Sequence, residues 1–308
     1  MAQPNPGHGR DLILFVPGQG PKPPAEIYRA ALWRCLVEGV RRADAPLAVE
    51  LEAGADRFGL VPWNHPYYGV HADMERDRDA IERLLLAPGP DARDMREAQS
   101  WRVRLAWLVY SLADQLPFLV HFLPDPDIRA TLEASRRYFE NEDGIADRVR
   151  ALVRRALDEA AAAGARILLI GHSLGSVIAY DTLWERERGS PGDWRVDQFL
   201  TLGSPLGVRF VQHRLRGAHA AGRDRYPGNL RRWVNIAAVG ELRALDRRLR
   251  GDYAEMLELG LLEALRDETD GVYNNFREGN RLNVHREYGY LVNPVTGRAI
   301  ADWWRERK

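Results

Sequence analysis

The sequence has a single cysteine, no excess of charge of either sign and no long uncharged apolar run. Because Cys35 stands alone among 308 residues, an internal disulfide and any all-cysteine zinc or iron–sulfur site within the chain are excluded. The 44 basic residues balance the 44 acidic ones, which argues against a general electrostatic grip on nucleic acid. These absences predict a globular, cytoplasmic protein in a reducing setting that has no nucleic-acid partner.

The most apolar long stretch covers residues 101–123. It is interrupted by charged residues and a proline, namely Arg102, Arg104, Asp114 and Pro117. Charges at those depths are costly at the centre of a bilayer, so we predict no transmembrane helix. We also expect no signal peptide, because the N-terminal MAQPNPGHGR lacks an apolar run after a basic start. Two interpretations of 101–123 stay open: a lid that lines an acyl pocket or makes transient membrane contact, or ordinary core.

Short apolar runs alternate with helical patterns along most of the chain. The predicted strands are 11–16, 57–63, 167–170, 196–202 and 232–239, with weaker candidates at 47–51, 282–285 and 288–292. The predicted helices begin near Glu26 and cover 145–163, 176–187 and 299–308. This alternation favours one α/β domain over 1–308, with a mostly parallel sheet and crossover helices. Residues 65–144 fit no strand and are predicted to form a helical insertion or lid.

The most informative motif is GHSLG at residues 171–175, an instance of G-x-S-x-G between a buried strand and a helix. A serine hydroxyl is a poor nucleophile and has to stand at a turn where a base can reach it. Gly171 and Gly175 lack a Cβ and let the strand and the helix approach closely on both sides. Ser173 is therefore the candidate nucleophile. The alternative is a plain strand-to-helix connection in which Ser173 caps the helix and His172 packs locally.

With this turn, the chain resembles the α/β-hydrolase superfamily, in particular lipase-like and esterase-like serine hydrolases with a GHSLG nucleophile elbow. The resemblance covers most of the chain and is weakest over 65–144. The residues that carry it are PGQG at 17–20, GHSLG, LGSPLG at 202–207, WVNIAAVGE at 233–241 and a histidine near the C-terminus. It implies an α/β-hydrolase fold, with a mostly parallel central sheet flanked by helices, a helical lid-like insertion, and no cofactor.

The resemblance also implies the chain order of a catalytic triad: serine, then acid, then histidine. Three histidines follow Ser173, and two of them, His213 and His219, lie too early for this order. His285, in NVHREYGY, stands before the final helix, where the resemblance expects the base. The alternative for His285 is a histidine in a surface loop.

The acid is implied at Glu241, directly after the strand with the tryptophan-x-asparagine pattern. Residues 203–223 contain no acidic side chain, so the position that some relatives use is empty. Relatives more often carry aspartate where this chain has Glu241, and Asp246 therefore stays a rival. The alternative for Glu241 is a solvated acid near a helix start.

Two backbone amides are implied as the oxyanion hole. One is the amide of Leu174, directly after the nucleophile, and the other is that of Gln19 in the PGQG loop. Gly18 and Gly20 would let this loop fold against a substrate carbonyl, although an ordinary proline–glycine turn is the alternative.

The expected activity is that of a serine hydrolase that cleaves small-molecule or lipid carboxylic esters through an acyl-enzyme. A thioesterase or acyltransferase with the same triad stays open, as does a hydrolase-like binding protein without chemistry. No metal site is expected, because the spacing of His65, His71 and Asp73 fits no known ligand pattern. The sequence does not indicate an oligomeric state.

Overall fold

A computed structural model of the chain describes residues 11–100, 103, 126–189, 194–242 and 247–306. Within them six strands form one sheet in the order β2-β1-β3-β4-β5-β6, and every neighbouring pair is parallel. These strands are β1 (Asp11–Val16), β2 (Phe58–Leu60), β3 (Arg166–His172), β4 (Val196–Leu202), β5 (Leu230–Ile236) and β6 (Ala264–Glu268). A separate antiparallel pair joins β7 (Arg277–Glu278) to β8 (Arg281–Leu282).

Helices precede and follow the strands throughout the described residues. They are α1 (Ala25–Ala43), α2 (Ala45–Glu52), α3 (Asn64–Tyr68), α4 (Glu75–Leu86), α5 (Ala92–Ala98), α6 (Pro126–Phe139), α7 (Ile145–Ala162), α8 (Leu174–Gly189), α9 (Arg209–Gln212), α10 (Ala254–Glu258), α11 (Glu287–Val292) and α12 (Pro294–Arg305). The protein is therefore an α/β protein with a parallel central sheet and flanking helices, as the alternation of patterns predicts.

The sheet separates two apolar cores because successive side chains of a strand point to opposite faces. In β1, Ile13 and Phe15 pack with α1 and α12 on one face. Leu14 and Val16 pack with α7 and α8 on the other. A strand covered on both faces buries most of its side chains, which explains the apolar run at residues 12–16 of β1.

Several predicted elements are correct to within a few residues. Strands β1 and β4 have the predicted bounds, and α7 matches the predicted helix 145–163. The final helix begins earlier than predicted, at Pro294, because the Asn293 side chain accepts from the Val295 amide and caps it.

Two candidate strands are wrong, and one strand was not predicted. Residues 47–51 lie in helix α2, because the Asp44 side chain caps that helix by accepting from the Leu47 amide, and Pro46 suits its first turn. Residues 288–292 lie in α11, which packs between α1 and α12 and whose residues are all buried. The sequence also missed β6, ALRDE, a polar edge strand that pairs only with β5.

The segment 65–144 contains α4, α5 and α6 and no strand among its described residues. The helices predicted at 98–123 lie outside the described residues, apart from 98–100 and Val103. In the part of the chain that the structure describes, no helix combines the length and apolar composition needed to cross a bilayer.

Candidate active site

Ser173 occupies a strained turn between β3 and α8. Its φ is +50°, in the left-handed region that residues other than glycine rarely adopt. The Ser173 amide donates to the Leu202 carbonyl at 3.0 Å, and the Ser173 carbonyl accepts from the Ser176 amide at 2.9 Å. These bonds from both sides hold the strained conformation and present the hydroxyl at the carboxyl edge of the sheet.

The glycines of this turn are required by close approaches of main chain. A Cβ at Gly171 would lie 2.6 Å from the Cα of Ser176. A Cβ at Gly175 would lie 2.3 Å from the carbonyl oxygens of both Val16 and Pro17. Helix α8 therefore lies directly on the end of β1, and glycine is the residue that allows it.

His285 lies beside Ser173 although 112 residues separate them in the chain. Its Nε2 is 2.9 Å from Ser173 Oγ, and its Nδ1 is 2.7 Å from Glu241 Oε2. A carboxylate only accepts hydrogen bonds, so Nδ1 carries the proton and Nε2 accepts from the serine hydroxyl. All three side chains are buried, at 3%, 8% and 2% exposure for Ser173, His285 and Glu241.

Glu241 reaches the histidine from the loop that follows β5. Gly240, with φ +85°, turns the chain there, and the acid carboxylate also accepts from Tyr290 Oη at 3.1 Å. Burial, reinforced by the Glu241 carboxylate, holds the pKa of Tyr290 well above its ordinary value, so this hydroxyl keeps its proton. The rival acid, Asp246, lies outside the described residues.

Parallel pairing explains how these residues meet. β3, β4 and β5 are adjacent and parallel, so their carboxyl ends lie at the same edge. At the end of β4, a Cβ at Gly203 would lie 3.1 Å from Glu241 Oε2 and 3.0 Å from Tyr290 Oη. The absence of a side chain at Gly203, whose φ is +53°, leaves room for the acid between the strands.

The loop after β1 lies against the turn at Ser173. A Cβ at Gly18 would lie 3.0 Å from the Cβ of Ser173. Asn64 Nδ2 donates to the carbonyl oxygens of Gly18 at 2.7 Å and Gly20 at 2.8 Å, and Trp63 Nε1 donates to that of Pro17 at 2.7 Å. Asn64 and Trp63 therefore fix the loop from its far side.

The hydrogen bond from Asn64 restricts the orientation of the Gln19 amide. The Gly18–Gln19 peptide is trans, so its N–H points away from its C=O. Because Asn64 binds the Gly18 carbonyl, the Gln19 N–H points away from Asn64. The Leu174 amide stands at the first position of α8, where helical N–H groups lack an intrahelical acceptor. The Leu174 amide directly follows Ser173 and the Gln19 amide lies in the loop packed against it, so both are candidates to bind an anion there.

A buried ion pair ties the same loop to the histidine segment. Lys22 Nζ lies 2.9 Å from Glu287 Oε1, and Tyr28 Oη donates to the same oxygen at 2.6 Å. Burial raises the pKa of the Glu287 carboxyl, but the charges of Lys22 and Arg286 outweigh burial and hold that pKa well below its ordinary value. The loop carrying Gln19 and the segment carrying His285 are therefore linked through a charged pair.

Asn64, Tyr290 and Lys22 were missed by sequence analysis. Asn64 is the first residue of a short helix, directly before the segment 65–144 predicted as an insertion, and Tyr290 lies in a segment predicted as a strand. The tryptophan-x-asparagine pattern has a structural use: Trp233 Nε1 donates to Thr201 Oγ1, which donates to Asn235 Oδ1. This network joins β4 to β5.

His172 aside, the other described histidines lie at the protein surface. His65, in α3, and His71, in the loop after it, are exposed, and their rings stack with centroids 4.2 Å apart. Among the described residues, no group of three or more His, Cys, Asp or Glu is arranged to hold a metal ion. His213 and His219 are exposed, in the segment after β4.

Comparison with the models of known protein families, with curated proteins and with solved structures finds no match to this chain. The functional interpretation is therefore based on the geometry around Ser173.

Proposed function

We propose that the protein is a serine hydrolase of the α/β-hydrolase type that cleaves carboxylic esters through an acyl-enzyme. One observation carries the proposal: the unbroken hydrogen-bonded series from Glu241 through His285 to Ser173, set at a strained turn between a strand and a helix. A plain connecting turn requires neither a buried histidine nor a buried acid behind its serine.

In the first half of the proposed reaction, Ser173 Oγ attacks the ester carbonyl carbon and His285 Nε2 takes the hydroxyl proton. The carbonyl oxygen becomes an oxyanion that accepts from the amides of Leu174 and Gln19. The bond from carbon to the leaving alkoxide then breaks. His285 returns the proton to the departing oxygen, which leaves as an alcohol.

In the second half, water replaces the alcohol. His285 takes a proton from the water as its oxygen attacks the acyl carbon, and it then protonates Ser173 Oγ as the acid product leaves. The atoms balance with water as the sole co-substrate. No step requires a metal or an organic cofactor.

Glu241 acts by holding the tautomer of His285 and by stabilising the imidazolium that forms in each half. Its effect is large because it is buried, where the local dielectric is low. The Tyr290 hydroxyl occupies a second lone pair of Glu241 Oε2 and so fixes the direction of the carboxylate.

The architecture supports the same proposal. The candidate nucleophile follows β3, the acid follows β5 and the histidine precedes α11, which is the chain order of α/β hydrolases. We further propose that the segment 65–144 serves as a lid. Through 101–123 it would contact an acyl chain or a lipid surface.

The direct test is labelling with a fluorophosphonate probe, which captures an activated serine. We expect wild type to be labelled and Ser173→Ala to remain unlabelled. Ser135→Ala, on α6, is the matched control and should label like wild type. A wild-type protein that is folded but unlabelled, or a Ser173→Ala variant that still labels, would overturn the proposal.

A second test identifies the acyl acceptor. Wild type is incubated with p-nitrophenyl esters of increasing chain length, with and without added alcohol or thiol, and the products are separated. Release of free acid in both conditions supports a hydrolase. Transfer of most acyl groups to the added acceptor would instead identify an acyltransferase, and a strict preference for acetyl would contradict the acyl-pocket role of 101–123.

A further inference from the structure

His172 makes a contact that local packing does not require. It is buried, with 2% exposure, and its Nε2 lies 2.7 Å from the main-chain carbonyl oxygen of His285. The two imidazole rings are 4.8 Å apart between centroids. The residue directly before the candidate nucleophile therefore binds the backbone of the candidate base.

The direction of this hydrogen bond is determined by its partner. A carbonyl oxygen only accepts, so Nε2 of His172 carries the proton. Burial, followed by the proximity of His285, lowers the pKa of His172 to about 3, so its ring is neutral near pH 7. In the neutral ring Nδ1 then has no proton. His172 therefore adds no positive charge beside His285 when that residue becomes an imidazolium.

The main-chain conformation at His285 depends on side-chain hydrogen bonds. It lies in a turn between β8 and α11, so no helix or sheet ladder holds its peptide groups. Its amide donates to Asn283 Oδ1 at 3.1 Å, and its carbonyl accepts from His172. Side chains thus fix the main chain of residue 285 on both sides.

His172 also touches the loop after β1. A Cβ at Gly18 would lie 2.5 Å from His172 Nδ1, so the ring fills the space between this loop and the His285 segment. A shift of the ring would displace the candidate base and the loop that carries Gln19 together.

We propose that His172 is a positioning residue, whose Nε2–H sets the main chain of His285 and thereby holds its imidazole between Ser173 and Glu241. The inference rests on the proposed function for its kinetic consequence, but the placement of His285 is measurable without substrate.

The experiment compares two amide substitutions that differ in reach. In His172→Gln, the amide nitrogen Nε2 is as many bonds from the main chain as Nε2 of histidine. It can therefore still donate to the His285 carbonyl. The amide of His172→Asn is one methylene shorter and cannot. Misplacement of a reacting group by about 1 Å costs up to about 100-fold in rate, so we expect the Asn variant to lose about 10- to 100-fold in kcat and in the labelling rate. Its KM should change little.

The Gln variant should stay within about threefold of wild type in the same assays, because it keeps the donor. Equal losses in the Gln and Asn variants, or an Asn variant that is folded and fully active, would overturn the positioning role. If the Asn variant does not fold, His172→Met supplies the donor-free comparison at similar volume.

A spectroscopic measurement separates this inference from the proposed function. The proton on His285 Nδ1, shared with Glu241, should give a far-downfield proton NMR resonance that is absent in His285→Ala. We expect the resonance in wild type and in His172→Gln, and its loss or broadening in the Asn variant. This result supports the positioning role even if wild type proves inactive towards esters. An unchanged resonance in the Asn variant overturns the positioning role even if wild type is an active esterase.

Discussion

At the scale of single residues, the candidate site combines groups that are costly to bury with partners that satisfy them. Glu241 is an acid with 2% exposure, and its Oε2 accepts from both His285 and Tyr290. A buried carboxylate is tolerated when it is hydrogen-bonded in this way. A Cβ at Gly203 would lie 3.1 Å from Glu241 Oε2, so the glycine there leaves room for the glutamate side chain.

The first prediction concerns Glu241→Gln. The neutral amide no longer stabilises the imidazolium and can hold the wrong tautomer of His285, so we expect kcat to fall about 10³- to 10⁴-fold. The fold should persist, as measured by circular dichroism and thermal unfolding. Glu263→Gln, at an exposed ion pair with Arg231, is the control and should keep wild-type turnover. Full activity in Glu241→Gln would move the acid role to another residue, with Asp246 as the first to test.

The second prediction concerns Asn64→Leu. The variant loses both bonds to the loop after β1, so the Gly18–Gln19 peptide is free to rotate and the Gln19 amide loses its aim. Loss of one oxyanion donor costs about 3 kcal/mol of barrier, and we expect a fall of about 100-fold in kcat with a smaller change in KM. The control is His65→Ala on the same short helix, at an exposed position. A change in KM with kcat unchanged would show that Asn64 does not orient the Gln19 amide.

At the scale of elements, the contact between α8 and β1 brings the helix N-terminus to the sheet edge. Ordinary helix–sheet packing places side chains between the two, but at Gly175 the helix main chain meets the carbonyls of Val16 and Pro17 directly. This close approach brings the Leu174 amide next to the loop after β1. The two parts of the candidate oxyanion hole therefore depend on one interelement contact.

The third prediction concerns Gly175→Ala. The added Cβ meets two main-chain oxygens that cannot rotate away, so we expect the free energy of unfolding to fall by about 3 kcal/mol. Gly189→Ala in the same helix is the control, because a Cβ there meets nothing within 4 Å. That variant should unfold at the wild-type denaturant concentration or slightly above it, since alanine favours helix by up to about 1 kcal/mol. Equal stability of both variants would contradict the close contact.

At the scale of the whole molecule, basic and acidic residues are equal in number but differ in how deeply they are buried. Many ion pairs among the described residues have at least one exposed partner and contribute little, whereas Glu287, the partner of Lys22, and His172 are buried next to the candidate site. Their protonation links folding to pH. Because His172 has a pKa of about 3 in the folded protein and about 6.5 when unfolded, the unfolded chain binds the extra proton between these values.

The fourth prediction is the resulting pH dependence. A proton bound only by the unfolded chain destabilises the fold. The contribution of His172 to the free energy of unfolding is therefore complete above about pH 6.5 and decreases as the pH falls towards 3. Because at most one proton is involved, His172 changes the free energy of unfolding by at most roughly 1 kcal/mol per pH unit. Burial raises the pKa of Asp181 to about 6, which acts in the opposite direction. Wild type and His172→Gln share the contribution of Asp181, so it cancels when their free energies of unfolding in urea are compared from pH 7 to 4. Parallel curves of this free energy against pH for the two proteins would contradict the prediction.

The sequence by itself determined the features that depend on neighbours along the chain. An apolar run over most of β1 predicted that strand, because strands covered on both faces of a parallel sheet are largely apolar. The GHSLG turn predicted where a strand passes into a helix. Local patterns failed at 47–51, where the cap of α2 outweighs the alternation, and at β6, whose polar residues lie at the sheet edge.

Only the tertiary structure decided which residues support the candidate site. Asn64 holds Gly18, Tyr290 holds Glu241 and His172 holds His285, each through a single hydrogen bond or a pair between residues far apart in the chain. Such bonds impose no periodicity on the sequence, so no sequence pattern predicts them. They exist because the parallel sheet brings the ends of its strands to one edge, where buried polar groups have to find partners in whatever segments are folded beside them.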